Sequence, residues 1–356
     1  MAQMKLLASS AKPARISAAR DAGPDYGVTA SPSWREVDWP AHVRQAQVGG
    51  RRLSYAEMGE GGETPVLLIH GLGGCWQNWL ENIPRLAQER RVIAVDLPGF
   101  GDSEMPAEDI SISRYARTLD ELGEQLELDR FEVVGNSMGG FIAAEMAIRH
   151  PERVESLTVV SPAGISTTKL RRQPLVTSQR VGFSLVAYTA AQQHSLVRRP
   201  RSRHYMLCWV ARHPSLLAPD FVMEGMLRGV GKPGFIDALE ALLDYDFVDR
   251  LPEISCPTLI VWGEEDMLLP VKDADEYERL IPNTRKVVME DTGHVAMMER
   301  PQTFNDCLVE FLAETPAAAG RANGSEPHAD GAATDAAAAA ASGNGSDAPT
   351  AAEAQS

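Results

Sequence analysis

The feature that most constrains this chain is a repeated alternation. Short apolar runs recur as "PVLLIHG", "RVIAVDLPG", "FEVVGNS", "SLTVVSP", "TLIVWGEED" and "RKVVMEDTGH", with helically spaced segments among the stretches between them. A run that is apolar at nearly every position leaves no face for water, so it suits a strand covered on both sides. Repeated strand and helix units predict an α/β architecture, a mostly parallel sheet with helices on both faces and its working residues at the carboxyl ends of strands. "SISRYARTLDELGEQLEL", opening on Ser111, carries apolar residues at helical spacing behind a capping serine. Upstream, "HVRQAQV" and "RRLSYAEMG" flank Gly49-Gly50 and predict a hairpin. No fixed-period repeat is visible, which excludes a solenoid.

The alternation fails over one interval. Residues 163–248 contain helical stretches ("FSLVAYTAAQQHSLV", "YMLCWVARH", "FIDALEALLDY") without a convincing strand. Lying between one strand-end loop and the next, this insert is expected to form a helical lid over the carboxyl edge of the sheet. The core is then expected over 36–162 and 249–315. Residues 316–356 hold Ala, Gly, Ser and Asp with almost no bulky apolar side chain, so they cannot bury enough surface to offset ordering entropy and are expected to be a disordered tail. Residues 1–35 are expected to be a disordered, basic leader.

A formal net charge of -15 over 356 residues argues against nucleic acid as a partner, because phosphate binding requires clustered Lys and Arg. Cys75, Cys208, Cys256 and Cys307 are scattered, with neither a CxxC pair nor a metal-ligand spacing, and read as reduced core thiols. The first apolar stretch, "MKLLA", is too short for a signal-peptide core, and no run has the length of a membrane-spanning helix. A cytoplasmic protein needing neither metal nor cofactor is expected.

One serine stands out. In "VVGNSMGGF", Ser137 follows a strand run and precedes an apolar, Ala-rich helix, with Gly135 and Gly139 two residues to either side. This is the G-x-S-x-G turn, in which a strained bend exposes the hydroxyl and glycines are needed where strand and helix pass too close for a Cβ. A serine hydroxyl needs a base. His294, after the last strand in "MEDTGHVAMMERP", is the candidate, since imidazole exchanges a proton near neutrality. A carboxylate must hold that imidazole in one tautomer, and "VWGEEDMLLP" offers Glu264, Glu265 and Asp266. "HGLGG" (His70 to Gly74) follows the strand "PVLLI"; the amides of Leu72 and Met138 are candidates for stabilising an oxyanion, with Gly71 and Gly73 beside the substrate and His70 bracing the loop. No P-loop or dinucleotide fingerprint is present.

Taken together, "HGLGG", "DLPGFGDS", "GNSMGG", "WGEED" and "GHVAMMERP", in that order over roughly Arg44 to Ala313, resemble the α/β-hydrolase family, in its capped esterase and lipase-like branch. The resemblance implies an eight-stranded sheet and a triad of Ser137, Asp266 and His294, with Asp266 preferred among the three acids and no catalytic role for Asp102. It also implies hydrolysis of a carboxylic ester or thioester, the substrate being a small molecule with an apolar acyl group. Alternatives are a carbon-carbon bond hydrolase of ring-opened aromatic catabolites, to which "GNSMGG" with "SPAGI" is also similar, a cofactor-free perhydrolase, and a non-catalytic ligand-binding protein.

The insert adds a charge anomaly. Between Ala163 and Leu217 there are nine Lys or Arg and no Asp or Glu. These charges form a solvated face, or else Arg198, Arg199, Arg201 and Arg203 draw in an anionic substrate or settle the lid on an acidic lipid surface. Phe183, Tyr188, Met206 and Trp209 are candidates for an acyl pocket or for lid core.

Overall fold

A computed structural model describes residues 11–61, 64–167 and 193–315. Its eight strands are β1 (Val43–Val48), β2 (Arg51–Met58), β3 (Val66–Ile69), β4 (Val92–Val95), β5 (Phe131–Asn136), β6 (Val154–Val160), β7 (Thr258–Gly263) and β8 (Thr284–Met289). They form one sheet in the order β1-β2-β4-β3-β5-β6-β7-β8. The hairpin β1-β2 and the β2-β4 pair are antiparallel, and from β4 to β8 the strands run parallel.

Every position of β3, β4, β5, β6 and β7 is buried, as their apolar runs demand. Successive side chains point to opposite faces. Leu67, Ile69, Ile93, Val95 and Val133 therefore join one core with the helices Ile112–Gln125 and Met138–Arg149. Val66, Leu68, Val92, Ala94 and Val134 join a second core with the helix Pro301–Ala313. Strand β8 differs, being only partly buried along its length because it closes the edge of the sheet. In the helix Ile112–Gln125, Ser111 caps the first turn by accepting from the Arg114 amide at 3.2 Å, and Ile112, Tyr115, Ala116, Leu119 and Leu122 make the buried stripe. Truncating fully buried Leu119 to Ala should cost about 2–5 kcal/mol.

Among the described residues of 163–248 there is no strand; Gln193–Val197, Pro200–Leu207 and Phe235–Asp244 are helices, and Val222–Leu227 is a π-helical turn. The amino-terminal segment corrects an expectation. Residues 11–35 are not a disordered leader: Ala14, Tyr26, Ala30 and Trp34 are buried, and 3-10 turns span Ile16–Arg20 and Trp34–Glu36. Few apolar residues suffice here because the segment is held by polar contacts, such as Trp34 Nε1 and the Ala30 amide donating to the buried Glu81 carboxylate, both at 2.9 Å. Residues 1–10, the tail 316–356, and Phe183 and Tyr188 lie outside the described residues. No helix of the described residues is long and apolar enough to cross a membrane.

Candidate active site

Four of the singled-out stretches come together at the carboxyl ends of β3, β5, β7 and β8. Strand β5 ends at Asn136 and the next helix starts at Met138, leaving Ser137 alone in the bend at φ 56°, ψ -116°. Left-handed φ is uncommon for a residue with a side chain and persists only where neighbours over-determine it. They do so here: the Ser137 amide donates to the Val160 carbonyl at 2.9 Å, and its own carbonyl accepts from Phe141 and Ala163 at 3.1 and 3.0 Å. The flanking glycines are obligatory. A Cβ on Gly135 would lie 2.2 Å from the Gly139 carbonyl oxygen, and one on Gly139 would lie 2.3 Å from that of Ile69.

His294 is buried, and its Nδ1 lies 2.7 Å from Asp266 Oδ2. The other oxygen of Asp266 accepts from the amides of Leu268 and Leu269 at 2.8 and 2.9 Å. A carboxylate fixed this way accepts a hydrogen bond from Nδ1–H and leaves Nε2 as the ring nitrogen without a proton. Of the two competing acids, Glu264 is exposed and Glu265 pairs with Arg212 at 3.3 Å. The His294 loop is tied on both sides, its amide donating to Val210 at 2.9 Å and its carbonyl accepting from Asn136 Nδ2 at 3.3 Å.

The loop His70–Gly74 lies against the serine turn, close enough that a Cβ on Gly71 would sit 3.2 Å from Ser137 Cβ. Met138 opens its helix, where amides have no intrahelical acceptor, and the Leu72 amide donates to no backbone carbonyl among the described residues. His70 is fully buried, with Nε2 accepting from the Leu97 amide at 3.0 Å and Nδ1 donating to the Gly71 carbonyl at 2.7 Å. Burial drives its pKa down to about 4, so it is a neutral brace. In "DLPGFGDS", Asp96 accepts from the amides of Trp76 and Asp102 at 2.8 and 2.9 Å, and the segment is a turn. Asp102 contributes its backbone there.

Ser137 and His294 open into a cavity of about 550 Å³ that Gly71, Leu72 and Gly73 also line. Its apolar wall comes from the insert (Leu207, Val210, Phe235, Leu239, Leu242) and from Leu268 and Leu269. The sequence marked Phe235 to Leu242 as helical without signalling that this face meets the serine; its apolar spacing fits core equally well. Arg198, Arg199 and Trp209 do not line the cavity, against expectation. Both arginines are exposed beside the first turn of Pro200–Leu207, while the far end of that helix turns Leu207 inward. Arg203 is buried and donates to the carbonyls of Pro214 and Ser215 at 3.1 and 2.8 Å, so it knits the insert. Met206 is partly buried in the second core. All four cysteines are free thiols; Cys75 and Cys208 are buried and Cys256 and Cys307 half-buried. No group of three His, Cys, Asp or Glu among the described residues is arranged to hold a metal ion.

The family model described as "alpha/beta hydrolase fold" matches residues 64–301. The chain belongs to the α/β-hydrolase family. This α/β-hydrolase is 32% identical over 278 residues to the dihydrolipoyllysine-residue acetyltransferase component of the acetoin cleaving system of Pseudomonas putida, which covers 76% of this chain and 69% of that protein. It is 30% identical over 298 residues to the 2-hydroxymuconate semialdehyde hydrolase of Pseudomonas sp. strain CF600, covering 79% and 97%. Among solved structures, a bacterial membrane phospholipase A described as a virulence factor superposes with a TM-score of 0.60 at 30% identity, covering 76% and 85%. Lipases and a 2-hydroxymuconate semialdehyde hydrolase are thus among the proteins this hydrolase is similar to.

Proposed function

We propose that this α/β-hydrolase cleaves an uncharged carboxylic ester or thioester through an acyl-enzyme on Ser137. His294 takes the hydroxyl proton as Oγ bonds to the carbonyl carbon, and the carbonyl oxygen gains its charge facing the Leu72 and Met138 amides. Collapse breaks the bond to the leaving alcohol or thiol, which receives the proton from His294. Water, deprotonated by the same imidazole, then releases the acid and restores Ser137. Asp266 holds the tautomer and stabilises the imidazolium throughout. Removing one such oxyanion donor typically costs about 2.7–4 kcal/mol of barrier.

The observation that carries this reading is the cavity itself: Ser137 and the Asp266-bonded His294 share an apolar chamber whose described lining contains no Lys, Arg, Asp or Glu. An acyl chain gains about 25 cal/mol for each Å² of apolar surface removed from water there. The rival reading, carbon-carbon cleavage, is supported by the relative named 2-hydroxymuconate semialdehyde hydrolase. Its ring-opened substrates carry carboxylates, which the described lining offers no cation to meet. A p-nitrophenyl ester series from acetate to palmitate, run on wild type and Ser137→Ala, tests the proposal. Serine-dependent turnover with a chain-length optimum supports it; turnover only of a vinylogous diketone acid transfers the assignment to carbon-carbon cleavage.

Contact with a lipid surface belongs to the same proposal. Arg198, Arg199 and Arg201 are exposed, and none makes an ion pair with a described residue in a strongly acidic chain. Tyr205, one turn beyond Arg201, is 71% exposed. Co-sedimentation with phosphatidylglycerol vesicles, lost in the triple Gln variant and absent with phosphatidylcholine, is the expected result; equal binding to both lipids removes this part of the proposal.

A further inference from the structure

The segment read from sequence as a loose leader makes its deepest contact at the loop that carries His294. Glu299, fully buried five residues after that histidine, is the hub. Its Oε2 accepts from the Gly293 amide at 3.0 Å and its Oε1 from the Val295 amide at 3.3 Å, so one carboxylate holds the residues on both sides of His294. The same Oε2 accepts from the Arg212 amide of the insert at 2.7 Å and from the Tyr26 hydroxyl of the amino-terminal segment. Tyr26 is buried, and its hydroxyl oxygen in turn accepts from the His213 amide at 2.7 Å.

One phenol group therefore joins three parts of the chain: the terminal segment, the insert at 212–213, and the His294 loop. The surroundings repeat the pattern. Toward the core, the Gly27 amide donates to the Glu299 carbonyl at 2.7 Å, Thr303 Oγ1 donates to Asp25 at 2.9 Å, and Arg300 pairs with Asp25 while lying over the Tyr26 ring. Toward the insert, Arg35 grips Asp220 through two bonds of 2.6 and 2.9 Å, His204 Nε2 bonds the Ala14 carbonyl at 2.9 Å, and Arg212 donates to the Lys12 carbonyl at 2.9 Å. A segment that served only to cover apolar surface would need none of these bonds.

We propose that residues 11–36 are a strap that sets the His294 loop and the insert in register, with Tyr26 a positioning residue acting through Glu299. The proposal rests on His294 being the base for Ser137. In Tyr26→Phe the ring keeps its packing, but the His213 amide is left buried without its acceptor and Glu299 Oε2 loses one of its three donors, the one that ties it to the amino-terminal segment. The loop bracketing His294 then samples more than one arrangement. An effect on the chemical step follows, because a base displaced by a fraction of an ångström no longer meets the serine hydroxyl, whereas neither Tyr26 nor Glu299 lines the cavity that receives the substrate.

The test compares Tyr26→Phe with Trp34→Phe in the full-length protein. Trp34 lies in the same strap but bonds Glu81 and not Glu299 or His213, so Trp34→Phe reports loss of the strap's packing and of its Glu81 bond without removing a bond to the His294 loop. For Tyr26→Phe, kcat on a p-nitrophenyl ester and the rate of fluorophosphonate labelling of Ser137 should both fall about five- to twentyfold with KM nearly unchanged. For Trp34→Phe, melting temperature should fall while both rates stay near wild type. Amide exchange over residues 291–298 should rise in Tyr26→Phe only. Equal kcat and labelling rates in the two variants overturn the strap proposal. Absence of Ser137-dependent labelling in the wild type overturns the proposed function instead. If Tyr26→Phe does not fold, Asp25→Asn loosens the strap at its outer edge with the hydroxyl in place, and a several-fold loss of labelling rate at unchanged KM is again required.

Discussion

Two strand-end loops of the sheet each carry a buried histidine, and the two differ in what the second ring nitrogen meets. At the end of β3, His70 uses both nitrogens internally, one on the Gly71 carbonyl and one on the Leu97 amide. At the end of β8, His294 uses Nδ1 on Asp266 and faces the cavity it shares with Ser137. Burial alone makes an imidazole neutral and inert. A carboxylate on one side and an open chamber on the other make it a candidate base. The same residue type at the same kind of position is thus a brace in one loop and, under the proposed mechanism, a proton carrier in the other, according to what its second ring nitrogen meets.

The sharpest way to break this contrast is to remove each ring. His294→Ala should lower kcat by about 10⁴-fold or more while melting within a few degrees of wild type. His70→Ala should do the reverse. It leaves the buried Leu97 amide without an acceptor, costing roughly 1–3 kcal/mol of stability, and the folded fraction should keep kcat within about tenfold of wild type. Purified variants assayed by ester turnover and thermal melting settle which ring does which task; a large kcat loss in His70→Ala with normal melting would erase the distinction. Next in size is the carboxylate. Asp266→Asn should cost about 10³- to 10⁴-fold in kcat, because an amide no longer holds the Nδ1 proton. Glu265→Gln, which touches only the part-exposed Arg212 pair, should stay within about twofold.

The sequence already separated these two histidines by motif, but it did so unevenly. Six apolar runs marked β3 to β8 and the Gly49-Gly50 hairpin marked β1 and β2, while the count of eight strands came from the resemblance. The G-x-S-x-G turn was legible because its glycines answer a steric demand that the structure expresses in ångströms. Asp266 could be preferred over Glu264 and Glu265 only by resemblance, because three neighbouring acids in a loop present no periodicity to choose among. The strap escaped detection for a related reason: Tyr26, Asp25 and Arg35 are held by partners hundreds of positions away or in the insert, and polar contacts of long sequence separation leave no local pattern. The insert's arginines misled in the opposite direction, since net charge marks a surface without telling which way it faces.

The smallest expected effect lies in pH. Burial lowers the pKa of His70 to about 4, below the unfolded value of 6.5. Its contribution to stability is therefore complete above pH 6.5 and is lost as pH falls toward 4, amounting to about 3 kcal/mol at most. Protonation would also place a second N–H against the Leu97 amide. Asp96, immediately before Leu97, moves oppositely. Burial raises its pKa to about 6, so the fold carries a penalty above that value which is relieved as pH falls toward the unfolded 3.8. The two neighbours act in opposite directions over this window, so a melting profile of the wild type alone does not separate them. The difference between wild type and His70→Ala isolates the histidine: the stability advantage of wild type, measured by urea denaturation, should shrink steadily from pH 6.5 to pH 4. A constant advantage across that range would mean that His70 is not held neutral by its surroundings, and the contrast with His294 would then rest on geometry alone.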